Sequence, residues 1–595
     1  MPAPASHTRP NSAQVVALSS FAHRFTSFRV DIGVLVPGVV RTSRLLALGA
    51  AGVAVVVALA AIRPTLGPPL AYDTFASVLH FDRLVSGRQL EAALGTTPKP
   101  LLTLALGLAH AAGGWVLVSL VSILAWATTV GLGTALAARF AGIAGGAAMG
   151  ALLVASPALL LEAAWGLGSP WAVGLWFAAA LAVLAPRPHW GLAGILLGLA
   201  TLARLETGLL IGLAIGGVLV RRFAVRGGQG RPRQRPFTRF RLRAGVPPGP
   251  WRIGFGLTAL PVMLVHDALL TGDPFYWVRV SAAYGDALAR VGALPDAWNV
   301  ARQVLGVPLD MPILSVLALV GVFALVRRGA WPILVGLGAL GPGMGAFLIV
   351  LAASGRFADP RYLVPIQVVI LFAAAIGVGS VATLAVDRLR RARRGAAHTN
   401  PPAGTAAVGS RGGVPGRAIA ACALVVAGAG AGLLASPAIG PLDVPTQATL
   451  ERFQALARSA DVAEPVLRHE LAGFLTARDW PGTAPLGDRE RSDLFSVPGN
   501  IRARLALDLD VPLTRLIATD PTRFDPGQTG PQVGQVVLHS GGDLPASSFA
   551  GYEIDAPSVV GTVLLVPLLH DRANATWVVR LDTTGGSHWG GLSKR

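Results

Sequence analysis

A small set of residues in this 595-residue chain has the type and spacing to do chemistry. Asp73 stands in Ala71-Tyr-Asp73-Thr-Phe, at the start of a stretch whose apolar residues Phe75, Val78, Leu79, Phe81 and Leu84 recur at helical spacing. A carboxylate there is favoured by the helix dipole, which leaves open whether it has any further role. Lys99 stands in Pro98-Lys99-Pro100-Leu101, directly before an apolar run. The chain holds two lysines, Lys99 and Lys594, against 48 arginines, so the lysine at this place is not explained by composition. As a snorkelling anchor Arg would serve equally well. A compact ammonium on a flexible stem is a common way to hold a phosphate as a point charge.

Further along, Glu162 ends an apolar run in Leu161-Glu-Ala-Ala-Trp165, and Arg204-Leu-Glu206 interrupts another. Arg356, Asp359 and Arg361 cluster before Tyr362. A local pair in a turn accounts for Arg204 and Glu206 as well as a binding role does, and a loop network accounts for the Arg356–Arg361 group. Asp82 and Arg83 read as a solvated face. His80 reads as a packing histidine, with no second His at metal spacing. Tyr276, Trp277, Trp165 and Trp171 read as aromatics of a membrane interface. No set of residues has convincing metal-ligand spacing, and no cofactor is implied.

These residues must be positioned by an unusual chain. It is 53% hydrophobic and 14% charged, with 72 Gly, 44 Pro, one Cys and a net charge of +19. Soluble domains carry about 25% charged residues, and disordered chains are polar and highly charged. One cysteine allows no internal disulfide. What remains is an all-α polytopic membrane protein. The basic excess falls in the N-terminal segment, in Arg221 to Arg252 and in Asp387 to Arg417. Those runs separate apolar spans, so they read as topology markers rather than a nucleic-acid surface.

Apolar runs long enough to cross about 30 Å of hydrocarbon occur near 42–62, 113–138, 141–161, 169–186, 189–204, 206–220, 251–270, 311–326, 331–353, 361–385 and 418–436. About eleven spans, with the N-terminus inside, put all three Arg-rich runs on the cytoplasmic side and everything after 437 outside. The expected organisation is a mobile cytoplasmic N-terminus (1–41), a transmembrane domain (42–436) and an extracytoplasmic domain (437–595). The first outer loop, 64–112, is expected to hold a helix lying in the membrane interface. In the C-terminal part, 446–478 has helical periodicity, and Val536–His539, Thr562–Val566 and Trp577–Arg580 look like strands. A small α/β domain is expected there.

The order of these motifs resembles the GT-C glycosyltransferases, in the branch of protein O-mannosyltransferases and the lipid A aminoarabinose transferase. The resemblance rests on Asp73 soon after the first span and Lys99-Pro100-Leu101 before the next. It extends to Gly198-Leu-Ala-Thr-Leu-Ala-Arg204-Leu-Glu206-Thr-Gly208 and Arg356-Phe-Ala-Asp359-Pro-Arg361-Tyr362-Leu-Val-Pro365, over residues 40–390 or so. It departs from the pattern in two places. Tyr72 stands where the family often has a second acid, and Leu101 where it has a second Pro. The resemblance implies transfer of a sugar from a polyprenyl-phosphate donor to a hydroxyl of a cell-envelope glycan, glycolipid or protein, outside a bacterial plasma membrane. In that scheme Asp73 is the general base, Lys99, Arg204 and Arg361 meet the phosphate, Glu162 orients acceptor or sugar, and Tyr362 belongs to the substrate site.

A multi-pass transporter or lipid flippase without chemistry is the competing reading. Transporters place polar groups near the bilayer midplane, whereas these candidates collect at the ends of the spans, on one face.

Overall fold

A computed structural model describes residues 37–62, 70–90, 97–208, 250–290, 296–355, 360–399, 447–476, 495–498, 501–511, 516–519, 536–540, 558–560, 563–571 and 576–583, with a few single positions between them. The Arg-rich stretches 1–36, 221–249 and 400–417, the apolar run 418–436 and most of 206–220 lie outside the described residues.

The first helix, α1 (Pro37–Ile62), is followed by α2 (Tyr72–Ser86) and by α3 (Pro100–Val154). At 55 residues α3 is too long for one span, and three glycines divide it. Gly113 and Gly114 leave helical geometry, as does Gly142 at φ 67°, so the runs read at 113–138 and 141–161 are separated by a real backbone break. A Cβ on Gly150 would meet Thr134, which places the chain before and after Gly142 side by side. Then come α4 (Pro157–Ala164), α5 (Ser169–Val183), α6 (Trp190–Ala203), α7 (Ala259–Thr271), α8 (Tyr276–Arg290), α9 (Ala297–Asp310), α10 (Pro312–Arg327), α11 (Trp331–Gly338), α12 (Met344–Ala353) and α13 (Val364–Thr399).

The protein is an integral membrane protein by the length and apolarity of these helices. Four are long and apolar enough to cross a bilayer by themselves: Pro100–Val154, Arg252–Thr271, Ile333–Ala353 and Val364–Arg388. Two bent pairs, Ala158–Ala164 with Ser169–Val183 and Ala297–Asp310 with Pro312–Arg327, bring the count to six if each is one span. Ser43–Leu59 and Trp190–Ala203 are apolar but shorter. The count of eleven is therefore not reached among the described residues. Hydropathy registers every apolar run, whereas the chain breaks several of them at Gly and Pro into pieces too short to cross alone.

Helices α10 and α13 approach closely because small residues meet. A Cβ at Gly321 would land on the Ala373 carbonyl, and one at Gly377 on the Leu317 carbonyl. Small residues at such crossings let backbones touch, which is how apolar helices gain packing where lipid offers no hydrophobic drive.

After α14 (Gln447–Thr476) the chain forms one mixed sheet of β1 (Phe495–Pro498), β2 (Leu516–Thr519), β3 (Val536–Ser540), β4 (Ser558–Val560), β5 (Val563–Asp571) and β6 (Thr576–Thr583), in the order β2-β1-β3-β6-β5-β4. Helix α15 (Arg502–Asp508) follows β1. This C-terminal unit shares a core with α2 and the start of α3. Phe75, Leu79, Leu102 and Leu106 belong to the same buried cluster as Leu456, Phe495, Leu505 and Val578.

That shared core corrects three expectations. Helix α2 does not lie on an interface with its apolar face in lipid, because Phe75, Val78, Leu79 and His80 are buried against α3 and α15. Arg83 is not part of a solvated face. It is 3% exposed, and its Nη2 donates to the Val511 carbonyl at 3.0 Å. Tyr276, read as an interfacial aromatic, is likewise buried.

Candidate active site

The start of α2 and the start of α3 bring the first candidates together. Ala71 is extended (φ −79°, ψ 159°), so the helix begins at Tyr72 and Asp73 falls in its first turn. Pro100 opens α3, where its missing N–H costs nothing. The residue before a proline is driven out of helical geometry, and Lys99 accordingly has φ −129° and ψ 84°. Its side chain leaves the helix end and reaches back: Lys99 Nζ lies 2.8 Å from Asp73 Oδ2. Both side chains are partly exposed, 22% and 19%, so the pair is open to a ligand. Farther along, Gly107 packs against Phe81, eight residues beyond Lys99 and Asp73 respectively, so the two helix starts run side by side in one direction.

A second cluster forms around Arg204. Helix α6 stops at Ala203, and Arg204 is extended (φ −150°, ψ 114°). Its Nη1 lies 3.6 Å from Glu162 Oε1, its Nε pairs with Glu206, and it donates to Ser169 Oγ. The guanidinium sits 5.3 Å from the centre of the Tyr362 ring. Ser169 N donates to Glu162 Oε2 at 3.2 Å. Glu162 and Arg204 are nearly buried, 4% and 8% exposed, so each neutralises the other in a poorly hydrated place.

The turn after α4 joins the two clusters. Gly166 (φ 72°) takes a left-handed conformation, and a Cβ there would collide with Thr74 of α2. The Trp165 carbonyl accepts from Ala71 N at 3.1 Å and from Thr74 Oγ1 at 2.5 Å. Two residues on, a Cβ at Gly168 would touch the Ala203 carbonyl and the Arg204 side chain. Asp73–Lys99 and Glu162–Arg204 are therefore held on either side of one tight turn.

Of the candidates, Asp73 meets Lys99, and Arg204 meets both Glu162 and Tyr362. Arg361 lies on the 3₁₀ turn Pro360–Leu363, while Arg356 and Asp359 lie outside the described residues. Arg204 pairs with Glu206 within the turn and also with Glu162 of α4.

One acidic group escaped the sequence reading. Asp267, on α7, is fully buried, with Oδ1 3.3 Å from His266 Nδ1 and Oδ2 accepting from Trp277 N at 2.8 Å. An acid inside the apolar run 251–270 was the signal for it. His80 is 1% exposed and neither ring nitrogen has a hydrogen-bond partner among the described residues. Burial pushes its pKa down to about 3, helped by His266 and Lys99, so it is a neutral imidazole. Burial raises the Tyr72 hydroxyl above its ordinary pKa, while Arg502 acts against that shift. Among the described residues no group of three or more His, Cys, Asp or Glu is placed to hold a metal ion.

No protein-family model matches the chain, and no curated protein matches it. Solved structures do. ArnT from Cupriavidus metallidurans in the apo state is similar at 17% identity and a TM-score of 0.44, over 89% of this chain and 96% of that one. The same enzyme bound to undecaprenyl phosphate is similar at 16% identity and 0.42, over 90% and 98%. The archaeal oligosaccharyltransferase AglB from Archaeoglobus fulgidus, in complex with an inhibitory peptide and a dolichol-phosphate, is similar at 12% and 0.41, over 80% of this chain and 64% of that one. Both proteins are GT-C superfamily enzymes.

Proposed function

We propose that the chain is a glycosyltransferase that moves a sugar from a polyprenyl-phosphate donor to an acceptor hydroxyl on the external side of the membrane. The observation that carries this reading is the 2.8 Å contact between Asp73 and Lys99, a carboxylate and one of the chain's two lysines, at the open start of two helices. In the reaction the acceptor oxygen bonds to the anomeric carbon and gives its proton to the Asp73 carboxylate. The bond from that carbon to the phosphate oxygen breaks, and the electron pair leaves with the lipid phosphate, whose growing charge Lys99 meets.

The two roles fit one pair. While Lys99 rests on Asp73, the ammonium covers the carboxylate oxygen. A phosphate entering the site draws the ammonium away and uncovers Asp73 Oδ2 for the acceptor hydroxyl. Arg204 holds two carboxylates and stacks on Tyr362. A phosphate reaching it must displace one of them, so Lys99 is the first phosphate contact, and Glu162, Arg204 and Tyr362 form the neighbouring substrate wall. Arg361, from the same turn as Tyr362, is the further phosphate partner in this scheme.

The acceptor is a hydroxyl of a cell-envelope glycan, glycolipid or protein. The reading is tested by incubating the purified protein in lipid nanodiscs with a panel of polyprenyl-phospho-sugars and measuring sugar release or transfer. Turnover with at least one donor is expected. No turnover with any donor, with the protein folded, would move the assignment to a transporter or flippase.

A further inference from the structure

Helix α9 carries two apolar faces, and one of them turns away from the protein. Val300, Val304, Val307 and Met311 recur at spacings of four, three and four, and this face packs inward. Val300 and Val307 are buried, and a Cβ on Gly345 of α12 would meet Val304. Trp298, Arg302, Leu305 and Leu309 recur at the same spacings on the opposite side. There Trp298 is 63% exposed, Leu305 61% and Leu309 74%, and the Arg302 guanidinium lies 5.2 Å from the centre of the Trp298 ring. The exposed polar residues Asn299, Gln303 and Asp310 fill the strip between the faces. Asp296 caps the helix, accepting from Asn299 N at 2.6 Å, so both carboxylates are set off the Trp298–Leu309 stripe.

The chain turns sharply where this helix ends. Pro312 has no N–H to give the Pro308 carbonyl, and the Ser315 hydroxyl donates to that carbonyl at 2.7 Å instead. Met311, before the proline, leaves helical geometry at φ −124° and ψ 57°. Helix α10 therefore leaves α9 at a bend of 84°. It runs alongside the span Val364–Arg388, because Gly377 meets Leu317 and Gly321 meets Ala373. A helix bent 84° from one that crosses the bilayer lies along the membrane surface. The 16 residues of α10 rise about 24 Å, less than the hydrocarbon thickness of about 30 Å. A surface helix sunk about 5–10 Å into the headgroup boundary makes up the difference. The exposed apolar surface runs on from Leu309 to Ile313, Val316 and Leu319 of α10. We propose that α9 lies flat in the membrane surface with Trp298, Leu305 and Leu309 in the acyl boundary, and that Arg302, held beside the Trp298 ring, takes the phosphate of an anionic phospholipid headgroup.

The test uses the full chain in nanodiscs, with Cys422, its one cysteine, replaced by serine. A bimane label at Trp298→Cys, Leu305→Cys or Leu309→Cys is quenched by doxyl groups placed at graded depths on the lipid. All three labels are expected at one shallow depth, whereas labels at Val316→Cys and Phe323→Cys on α10 should differ in depth by about 10 Å. A depth that changes by about 16 Å from Trp298 to Leu309, as in a spanning helix, overturns the proposal. So does a stripe that no lipid quencher reaches. For the headgroup, doxyl-phosphatidylglycerol is compared with doxyl-phosphatidylcholine at the Leu305→Cys label. The anionic lipid is expected to be enriched there about fivefold with Arg302 present and to fall to parity in Arg302→Gln. Equal quenching by the two lipids with Arg302 present overturns the proposal, as does an enrichment that survives Arg302→Gln. Arg302 and the labelled residues are exposed, so these changes leave the packed face of α9 intact.

Discussion

Lys99 Nζ and Asp73 Oδ2 lie 2.8 Å apart, although 26 residues separate them and each belongs to the first turn or cap of a different helix. Pro100 makes this possible, because it both starts α3 and bars Lys99 from helical geometry. A partly exposed ion pair of this kind contributes at most about 1 kcal/mol to stability, so the pairing matters for function more than for the fold.

Replacing Lys99 by Ala should therefore leave thermal stability nearly unchanged and weaken the lipid-phosphate donor about tenfold or more. Lys99→Arg should keep most of the binding. Titrating each variant with farnesyl phosphate, beside a thermal melt, checks both; unchanged donor affinity in Lys99→Ala would return the lysine to a snorkelling role.

Arg204 behaves oppositely. Arg204→Ala strands Glu162 and Glu206, whose side chains are 5% and 12% exposed, next to each other without a cation. Removing one partner of a buried ionic group costs about 3–5 kcal/mol, so a large fall in Tm is expected. The triple change Arg204→Met with Glu162→Gln and Glu206→Gln should recover much of it. A Tm for Arg204→Ala within a degree of the native value would show that water reaches the cluster.

His80 makes stability depend on pH. Its pKa is about 3 in the folded protein against about 6.5 in the unfolded chain, so the unfolded state binds a proton that the native state refuses. Stability is complete above pH 6.5 and is lost as pH falls from there toward 3. At pH 5 the loss amounts to about 2 kcal/mol. Thermal melts at pH 7.5 and 5 should show this loss, and His80→Leu should reduce it; an equal loss in the variant would assign it to other groups.

Gly321→Ala tests the packing of α10 on α13. The added Cβ meets the Ala373 carbonyl, a backbone atom that cannot swing aside. Overpacking of this kind costs about 1–3 kcal/mol, and a lower Tm with unchanged donor affinity in the folded protein is expected.

The residues of the candidate site were legible in the sequence one by one, and their pairing across the fold was not. Lys99 stood out because composition did not explain it, and Asp73, Glu162 and Arg204 because charge is costly near apolar spans. Which partners they take was legible for Arg204 with Glu206, two residues apart, and hidden for Arg204 with Glu162, since the turn at Gly166 and Gly168 decides it. Arg83, Arg502 and Arg504 were unreadable for the same reason. Their burial depends on a C-terminal unit folding onto α2, a contact across more than 400 residues that no local pattern records. The count of eleven spans is not reached among the described residues because bends split apolar runs into short pieces, whereas the break at Gly142 does separate the runs read at 113–138 and 141–161.

The central claim is that Asp73 is the base of a transfer reaction at the Lys99 site. Single-turnover transfer from a polyprenyl-phospho-sugar, measured for native protein and Asp73→Asn alongside donor affinity, tests it most directly. Asp73→Asn should slow transfer about 100-fold or more while binding donor at least as tightly as native protein, since Lys99 loses its resting partner. Native transfer rates in Asp73→Asn, with donor bound, would contradict the account.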